Sequence, residues 1–245
     1  MKAIILAAGK GTRFNSEQAD LPKSMRCVLG KPILNYVLES LSFIDTKDIY
    51  AIVKFKKEKI MSAFPELNYI EQGDDGYGTG YAVECSKDCF DNYDGDLVVI
   101  CGDTPLISKE TIENMIDMHK KEHNSCTILS CMGEKGQMLG RMVRDENGKL
   151  VAITEAKDCT PEQFENICEY NAATYIFNAK DLFEALKKVV NSKVTNEKYL
   201  TDVPEIMMAD GKNVNAYVSQ KSEEILGVNS PADLEVVEKY LLKNN

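Results

Sequence analysis

The chain alternates short apolar runs with amphipathic stretches. Lys2–Leu6, Ile49–Val53, Asn68–Gln72 and Leu97–Cys101 read as strands. Leu97–Cys101 is apolar throughout, as expected of a strand covered on both faces. Between them, Pro32–Leu41 places Ile33, Leu34, Val37, Leu38 and Leu41 on one helical face. Lys56–Phe64 and Gly78–Ser86 read as shorter helices, and Ser108 caps a helix running to Lys121. This alternation predicts an α/β fold: a Rossmann-like, mostly parallel sheet flanked by helices. Ligands of such sheets sit beyond the C-terminal ends of the strands.

The rhythm changes after about residue 124. Cys126–Cys131 reads as a strand, and Met138–Arg144 and Leu150–Glu155 flank a hairpin turn at 145–149. Glu169–Phe177 is a further strand, followed by helices at Ala179–Val190, Thr201–Ala209 and Pro231–Leu242. The expectation is one domain with a β-rich second lobe: residues 1–123 as one half, 124–228 as the lobe, and 229–245 as a closing helix. No repeats or linkers break it.

Composition excludes several classes. Apolar residues make up 44% of the 245 positions, enough to build a core and too many for a disordered chain. A net charge of −10 speaks against nucleic acid or anionic membranes as partners. The longest apolar runs, Ala3–Ala8 and Leu97–Cys101, fall far short of the roughly 20 residues that span a bilayer. The apolar start gives way at once to Gly9-Lys10-Gly11-Thr12-Arg13, which does not suit a signal peptide. A cytosolic protein is expected. None of the eight cysteines forms a CxxC pair, so reduced thiols, several in the core, are expected. His119 and His123 have a spacing that can hold zinc, but a third ligand is not in sight, and a solvated helix end is expected. Lys54–Lys59 reads as a helix face in water.

The candidate chemistry begins at the end of the first strand. Ala7, Ala8, Gly9 and Gly11 are small enough to let backbone N–H groups approach an anion. Arg13 can fork onto phosphate oxygens, and Lys23 follows behind Pro22. Residues 1–31 hold six basic against two acidic side chains on an otherwise acidic chain, a localised anion site. The loop is neither a Walker A motif nor the dinucleotide fingerprint, because no Gly-Lys-Ser/Thr closes it and Phe14 stands where a third glycine would be. A plain strand–helix connection would account for the glycines, though not for the cations that accompany them.

Leu6-Ala7-Ala8-Gly9-Lys10-Gly11-Thr12-Arg13 with Pro22-Lys23 resembles the signature of the sugar-1-phosphate nucleotidyltransferases, or NDP-sugar pyrophosphorylases. The likeness continues in order through Gly78-Thr79-Gly80-Tyr81-Ala82, Gly102-Asp103-Thr104-Pro105-Leu106 and Leu139-Gly140-Arg141. It extends through Glu155-Ala156-Lys157-Asp158, Glu169-Tyr170-Asn171, Glu197–Asp202 and Gly227-Val228-Asn229. The set is most similar to the uridylyltransferase domain of bacterial N-acetylglucosamine-1-phosphate uridylyltransferase. The sequence holds no hexapeptide repeats, so no acetyltransferase activity is expected.

The resemblance implies the nucleotide-diphospho-sugar transferase type of fold and a Mg²⁺-dependent reaction. A sugar-1-phosphate oxygen attacks the α-phosphorus of a nucleoside triphosphate and pyrophosphate leaves. By this resemblance Leu6, Ala7, Ala8, Gly9, Gly11, Thr12, Gln72, Gly78 and Thr79 bind the nucleotide. Arg13 holds the leaving pyrophosphate, and Lys23 reaches the reacting centre. Asp103 and Asn229 hold the metal, and Gly140, Glu155, Asn171 and Asn229 hold the sugar. Gln72 offers both a donor and an acceptor, which suits the imide edge of uracil and points to UTP. Read by themselves, Gln72 is also a polar strand end, Asp103 a turn residue and Glu155 an exposed strand residue. On the sugar side the chain departs from the family pattern, with Leu139 for tyrosine and Asn171-Ala172-Ala173 for Asn-Thr-Gly, and Gln18-Ala19-Asp20 lengthens the loop before Pro22. Two alternatives remain beside the leading reading of UTP with N-acetylglucosamine-1-phosphate. One is another phosphorylated acceptor with UTP or CTP; the other is a non-catalytic nucleotide-binding regulator.

Overall fold

The computed structural model describes residues 1–11, 14 and 20–244. The early strands are β1 (Lys2–Leu6), the two-residue pair β2 (Cys27–Val28) and β3 (Lys31–Pro32), β4 (Ile49–Val53), β5 (Asn68–Glu71) and β6 (Asp96–Cys101). Helices α1 (Ile33–Ser40), α2 (Lys57–Ala63) and α3 (Thr79–Glu84) lie between them, and α4 (Lys109–Lys121) follows β6. The later chain forms β7 (Cys126–Met132), β8 (Arg141–Arg144), β9 (Leu150–Thr154), α5 (Pro161–Asn166), β10 (Glu169–Asn178), α6 (Ala179–Leu186), α7 (Val203–Ala209), β11 (Val214–Ser219) and α8 (Pro231–Asn244).

One mixed, mostly parallel sheet runs in the order β11-β7-β10-β6-β1-β4-β5, with the β8–β9 hairpin attached to β10. β1 pairs in parallel with β4 on one side and β6 on the other. β10 is antiparallel to both of its neighbours in that order, while β11 joins β7 in parallel. Successive residues of the central strands feed opposite cores. Ala3, Ile5, Val98 and Ile100 pack on one face; Ile4, Leu97 and Val99 pack on the other. A third apolar cluster joins Phe14, Val28, Ile33, Leu106 and Val228 to Val237 of α8.

The chain moves outward from β1 to β4 and β5, then returns to the other side of β1 as β6. That reversal opens a crevice between the C-terminal ends of β1 and β6, where open α/β sheets bind ligands.

Several expected elements differ in detail. β7, β10 and β11 extend the same sheet, and the β8–β9 hairpin branches from it at β10. β8 starts at Arg141 rather than Met138, and α6 stops at Leu186. The helix expected from Thr201 opens as a 3-10 turn at Leu200–Asp202, because Pro204 favours a helix beginning at Val203. β11, α5 and the β2–β3 pair were not legible. Leu29 and Gly30, both at positive φ, make the tight turn of that pair. His119 is buried, its Nδ1 lying 3.0 Å from the Thr127 hydroxyl, rather than solvated. Among the described residues the eight cysteines are free, with Cys126 and Cys131 in the core. No helix among those residues is long and apolar enough to cross a membrane.

Candidate active site

A cleft of about 660 Å³ opens at this crevice. Leu6, Ala7, Ala8, Gly9 and Gly11 form one wall, Gln72, Gly78 and Thr79 another, and Lys23, Asp103 and Asn229 the floor. Thr12 and Arg13 lie outside the described residues. The first wall is held by its backbone. The Ala7 N–H donates to Ile52 at 2.9 Å, Gly102 N–H to Leu6 at 2.9 Å, and Lys23 N–H to Gly9 at 3.3 Å. Gly11, at φ +66°, turns the chain where few L residues are comfortable.

The second wall is clamped to the segment ahead of α7. Gly78 has φ +108°, and a Cβ there would lie 2.4 Å from the Lys198 carbonyl oxygen. Lys198 N–H donates to the Tyr77 carbonyl and Gly80 N–H to the Lys198 carbonyl, both at 2.8 Å. Leu200 N–H donates to the Thr79 hydroxyl at 3.1 Å. Gln72 is buried at the end of β5, its N–H bonded to Val53 at 2.9 Å.

On the floor, three residues from distant parts of the sequence meet. Lys23 Nζ contacts the Asp103 carboxylate and donates to Asn229 Oδ1 at 2.7 Å. The Val228 N–H donates to the Asp103 carbonyl at 2.8 Å, and Asn229 N–H to Asp233 of α8 at 2.9 Å. An ammonium therefore sits between a carboxylate oxygen and an amide oxygen. Two hard oxygen donors gathered around one positive charge fit a Mg²⁺-like ion, which takes one or two carboxylates and completes its shell with phosphate and water. Cys101 lies beside them, but burial and the nearby Asp103 carboxylate push its thiol pKa far up, so it is a poor nucleophile.

Gly140, Glu155 and Asn171 converge with one another but do not line this cleft. A Cβ on Gly140 would lie 3.7 Å from both Glu155 Oε2 and Asn171 Cβ. Burial pushes the Glu155 carboxyl pKa up, against the hydrogen bond it accepts from Thr201 at 3.0 Å. Asn171 is largely committed within the protein. Its Oδ1 accepts the Ala173 N–H at 3.0 Å and its Nδ2 donates to the Tyr175 hydroxyl at 2.7 Å, supporting the bulge of β10. Beside Gly140, the fully buried Arg141 guanidinium stacks 4.1 Å from the Phe164 ring centre, which fixes the start of β8.

Lys10, Lys54, Asp74, Tyr77 and Glu197 also line the cleft, though no role was assigned to them from the sequence. Lys54 is not a helix face in water. It bridges the Gly73 carbonyl at 2.7 Å and Asp74 at 2.8 Å, tying the end of β4 to the second wall. Its place just after β4, beside β1, was the available signal. Glu197 stands next to the clamp at Lys198, and its stretch Glu197–Asp202 was the available signal.

The description "Nucleotidyl transferase" belongs to the family that matches residues 2–225. The chain is 38% identical over 241 residues to the bifunctional protein GlmU of Lactococcus lactis, covering 98% of this chain and 52% of that protein. It is 39% identical to GlmU of Aquifex aeolicus, covering 98% of this chain and 53% of the relative. The chain thus spans about half the length of the curated relatives it matches. In fold it is similar to a UDP-glucose pyrophosphorylase solved with UDP-glucose, at a TM-score of 0.78 and 17% identity, covering 100% of this chain and 99% of the other.

Proposed function

The chain belongs to the nucleotidyl transferase family, and from that premise we propose that it transfers a uridylyl group from UTP to a sugar-1-phosphate in a Mg²⁺-dependent reaction. The favoured acceptor is N-acetylglucosamine-1-phosphate, and the products are the UDP-sugar and pyrophosphate. The observation that carries this reading is the meeting of Lys23, Asp103 and Asn229 beneath a backbone-lined turn. The acceptor phosphate is already anionic near neutral pH, so the barrier lies in bringing two anions into line rather than in removing a proton. Cations and fixed N–H donors address that barrier directly.

In this reading residues 1–123 hold the nucleotide and 124–228 supply the sugar side. The turn at Ala8–Gly11 presents N–H groups to the triphosphate, with Arg13 on the leaving pyrophosphate. Gln72 faces the uracil imide edge, and Gly78 and Thr79 hold base and ribose. Lys23 Nζ leaves its oxygen partners to meet phosphate at the reacting centre. Asp103 and Asn229 would hold a divalent ion, which when bound supplies charge neutralisation on the phosphates. Glu155 accepts hydrogen bonds from sugar hydroxyls, Gly140 leaves room for a substituent, and Asn171 shapes the bulge behind them. Partners are the two small-molecule substrates, in a cytosolic setting, with neither nucleic acid nor membrane.

The test is pyrophosphate release across a panel of UTP, CTP and purine triphosphates against sugar-1-phosphates and other phosphorylated acceptors. UTP with N-acetylglucosamine-1-phosphate is expected to give the highest kcat/KM. A better acceptor would move the assignment to Leu139 and Ala172-Ala173, where the chain departs from the family pattern. UTP binding without turnover on any acceptor would make the protein a nucleotide-binding regulator.

A further inference from the structure

Asp103 and Asn229 sit on loops from distant parts of the sequence, and the far ends of those loops meet at one side chain. The first loop runs from Asp103 to Ser108, the cap of α4. The second runs from a 3-10 turn at Ser222–Ile225 through Gly227 and Val228 to Asn229. Glu224 lies in that turn and is 0% exposed. Its Oε1 accepts the Ser108 N–H at 3.1 Å, the Ser108 hydroxyl at 2.9 Å and the Thr111 hydroxyl at 2.7 Å. Its Oε2 accepts the Ser219 hydroxyl at 2.6 Å, at the end of β11.

A buried carboxylate is tolerated only when its oxygens are well satisfied, and here four donors and the positive end of α4 do so. Neither oxygen is left to meet a ligand. What Glu224 does accomplish is geometric. It ties the two loops together at one end, while the Val228 N–H bond to the Asp103 carbonyl ties them at the other. These two cross-links bracket the loops that carry the Asp103 carboxylate and the Asn229 amide oxygen. Resting on the function proposed above, we propose that Glu224 is a positioning residue that holds Asp103 and Asn229 at the separation a divalent ion requires. Outer groups that orient ligating side chains typically matter about 10–100-fold in metal affinity or activity.

The experiment uses the full chain, Mn²⁺ and UTP. Mn²⁺ binding to the UTP-bound protein is followed by electron paramagnetic resonance, with steady-state kinetics and thermal melting on the same samples. Glu224→Ala is expected to weaken Mn²⁺ binding and lower kcat, each by about tenfold or more. The KM for UTP should stay within about twofold, because the Ala7–Gly11 and Gln72–Thr79 walls are not anchored on Glu224. Glu224→Gln should restore most of both losses: its amide oxygen can take the donors of α4, and its NH₂ can donate to Ser219. Thr111→Val removes one donor without changing size, and should give a smaller loss of the same kind. If Glu224→Ala does not fold, Glu224→Gln and Thr111→Val decide.

Wild-type Mn²⁺ affinity and kcat in a folded Glu224→Ala or in Thr111→Val would overturn the proposal. So would a Glu224→Gln no better than alanine, or a fall in kcat and rise in KM that merely track lost thermal stability. A wild-type protein that binds no Mn²⁺ with UTP and releases no pyrophosphate would instead overturn the proposed function.

Discussion

Replacing Gly78 by alanine tests the clamp that forms the second wall of the cleft. Gly78 adopts φ 108° and ψ 168°, a region that glycine alone occupies freely and that costs an L residue about 1–3 kcal/mol. The added Cβ would lie 2.4 Å from the Lys198 carbonyl oxygen and 2.8 Å from its nitrogen, so backbone must move. Movement there strains two 2.8 Å hydrogen bonds, Lys198 N–H to Tyr77 and Gly80 N–H to Lys198. Each contributes about 0.5–1.5 kcal/mol. The total is about 2–6 kcal/mol, which for a chain of this size lowers Tm by about 4–24 °C. Because Thr79 and Gln72 flank the same loop, UTP affinity should also fall by about tenfold, as expected of a small misplacement at a site. Gly136→Ala is the control: its φ is +79° but nothing lies within 4 Å of an added Cβ, so only about 1–2 kcal/mol is at stake and UTP affinity should hold. The assays are differential scanning calorimetry and isothermal titration with UTP. A Gly78→Ala protein that melts and binds UTP like wild type would refute the reasoning, as would equal losses in Gly136→Ala.

Asp103→Ala should cut turnover by about 10²–10³ with little change in melting, and Lys23→Ala should lower kcat more than it raises the KM for UTP; near-normal kcat in Asp103→Ala would remove it from the metal site. Ala173 sits at φ +51° in the β10 bulge, so Ala173→Gly should leave stability unchanged or raise it by about 0.5 kcal/mol once glycine's extra freedom is subtracted; a clear drop in Tm would show that the bulge needs the methyl group. Burial first, then the neighbouring Glu205, Glu155 and Asp158, push the Asp202 pKa up from 3.8 to about 6. Its protonated form is thus favoured on folding, and the stability this lends is full below about pH 4 and lost as pH rises through about 6. Asp202→Asn should therefore stabilise at pH 7.5 by about 1 kcal/mol, discounted for partial exposure, and give no advantage at pH 4. Urea unfolding at the two pH values reads the difference, and a gain that is the same at both would refute it.

Much of the fold was legible because its strands and helices carry their own signals. The apolar run Leu97–Cys101 and the one-sided apolar face of Ile33–Leu41 depend only on local periodicity and on burial. So does the place of the glycine turn, since Ala7–Gly11 directly follows a buried strand and Lys23 follows Pro22. β11 was missed because its burial is mostly partial and its partner, β7, lies far back in the sequence. His119 was misjudged because its charged neighbours along the helix hide a side chain that turns inward to Thr127.

Sequence alone determined the strand and helix rhythm, the family to which the chain belongs and the residue types available to hold phosphate, because each is written in short stretches of neighbouring residues. Tertiary structure decided which of those residues share a cleft. It joined Lys23, Asp103 and Asn229, drew Lys54 and Glu197 in, and set Gly140, Glu155 and Asn171 apart from the cleft lining. The reason is that a site's geometry depends on contacts between residues up to 206 positions apart, such as Lys23 with Asn229, and only packing of the sheet and its loops fixes their separation.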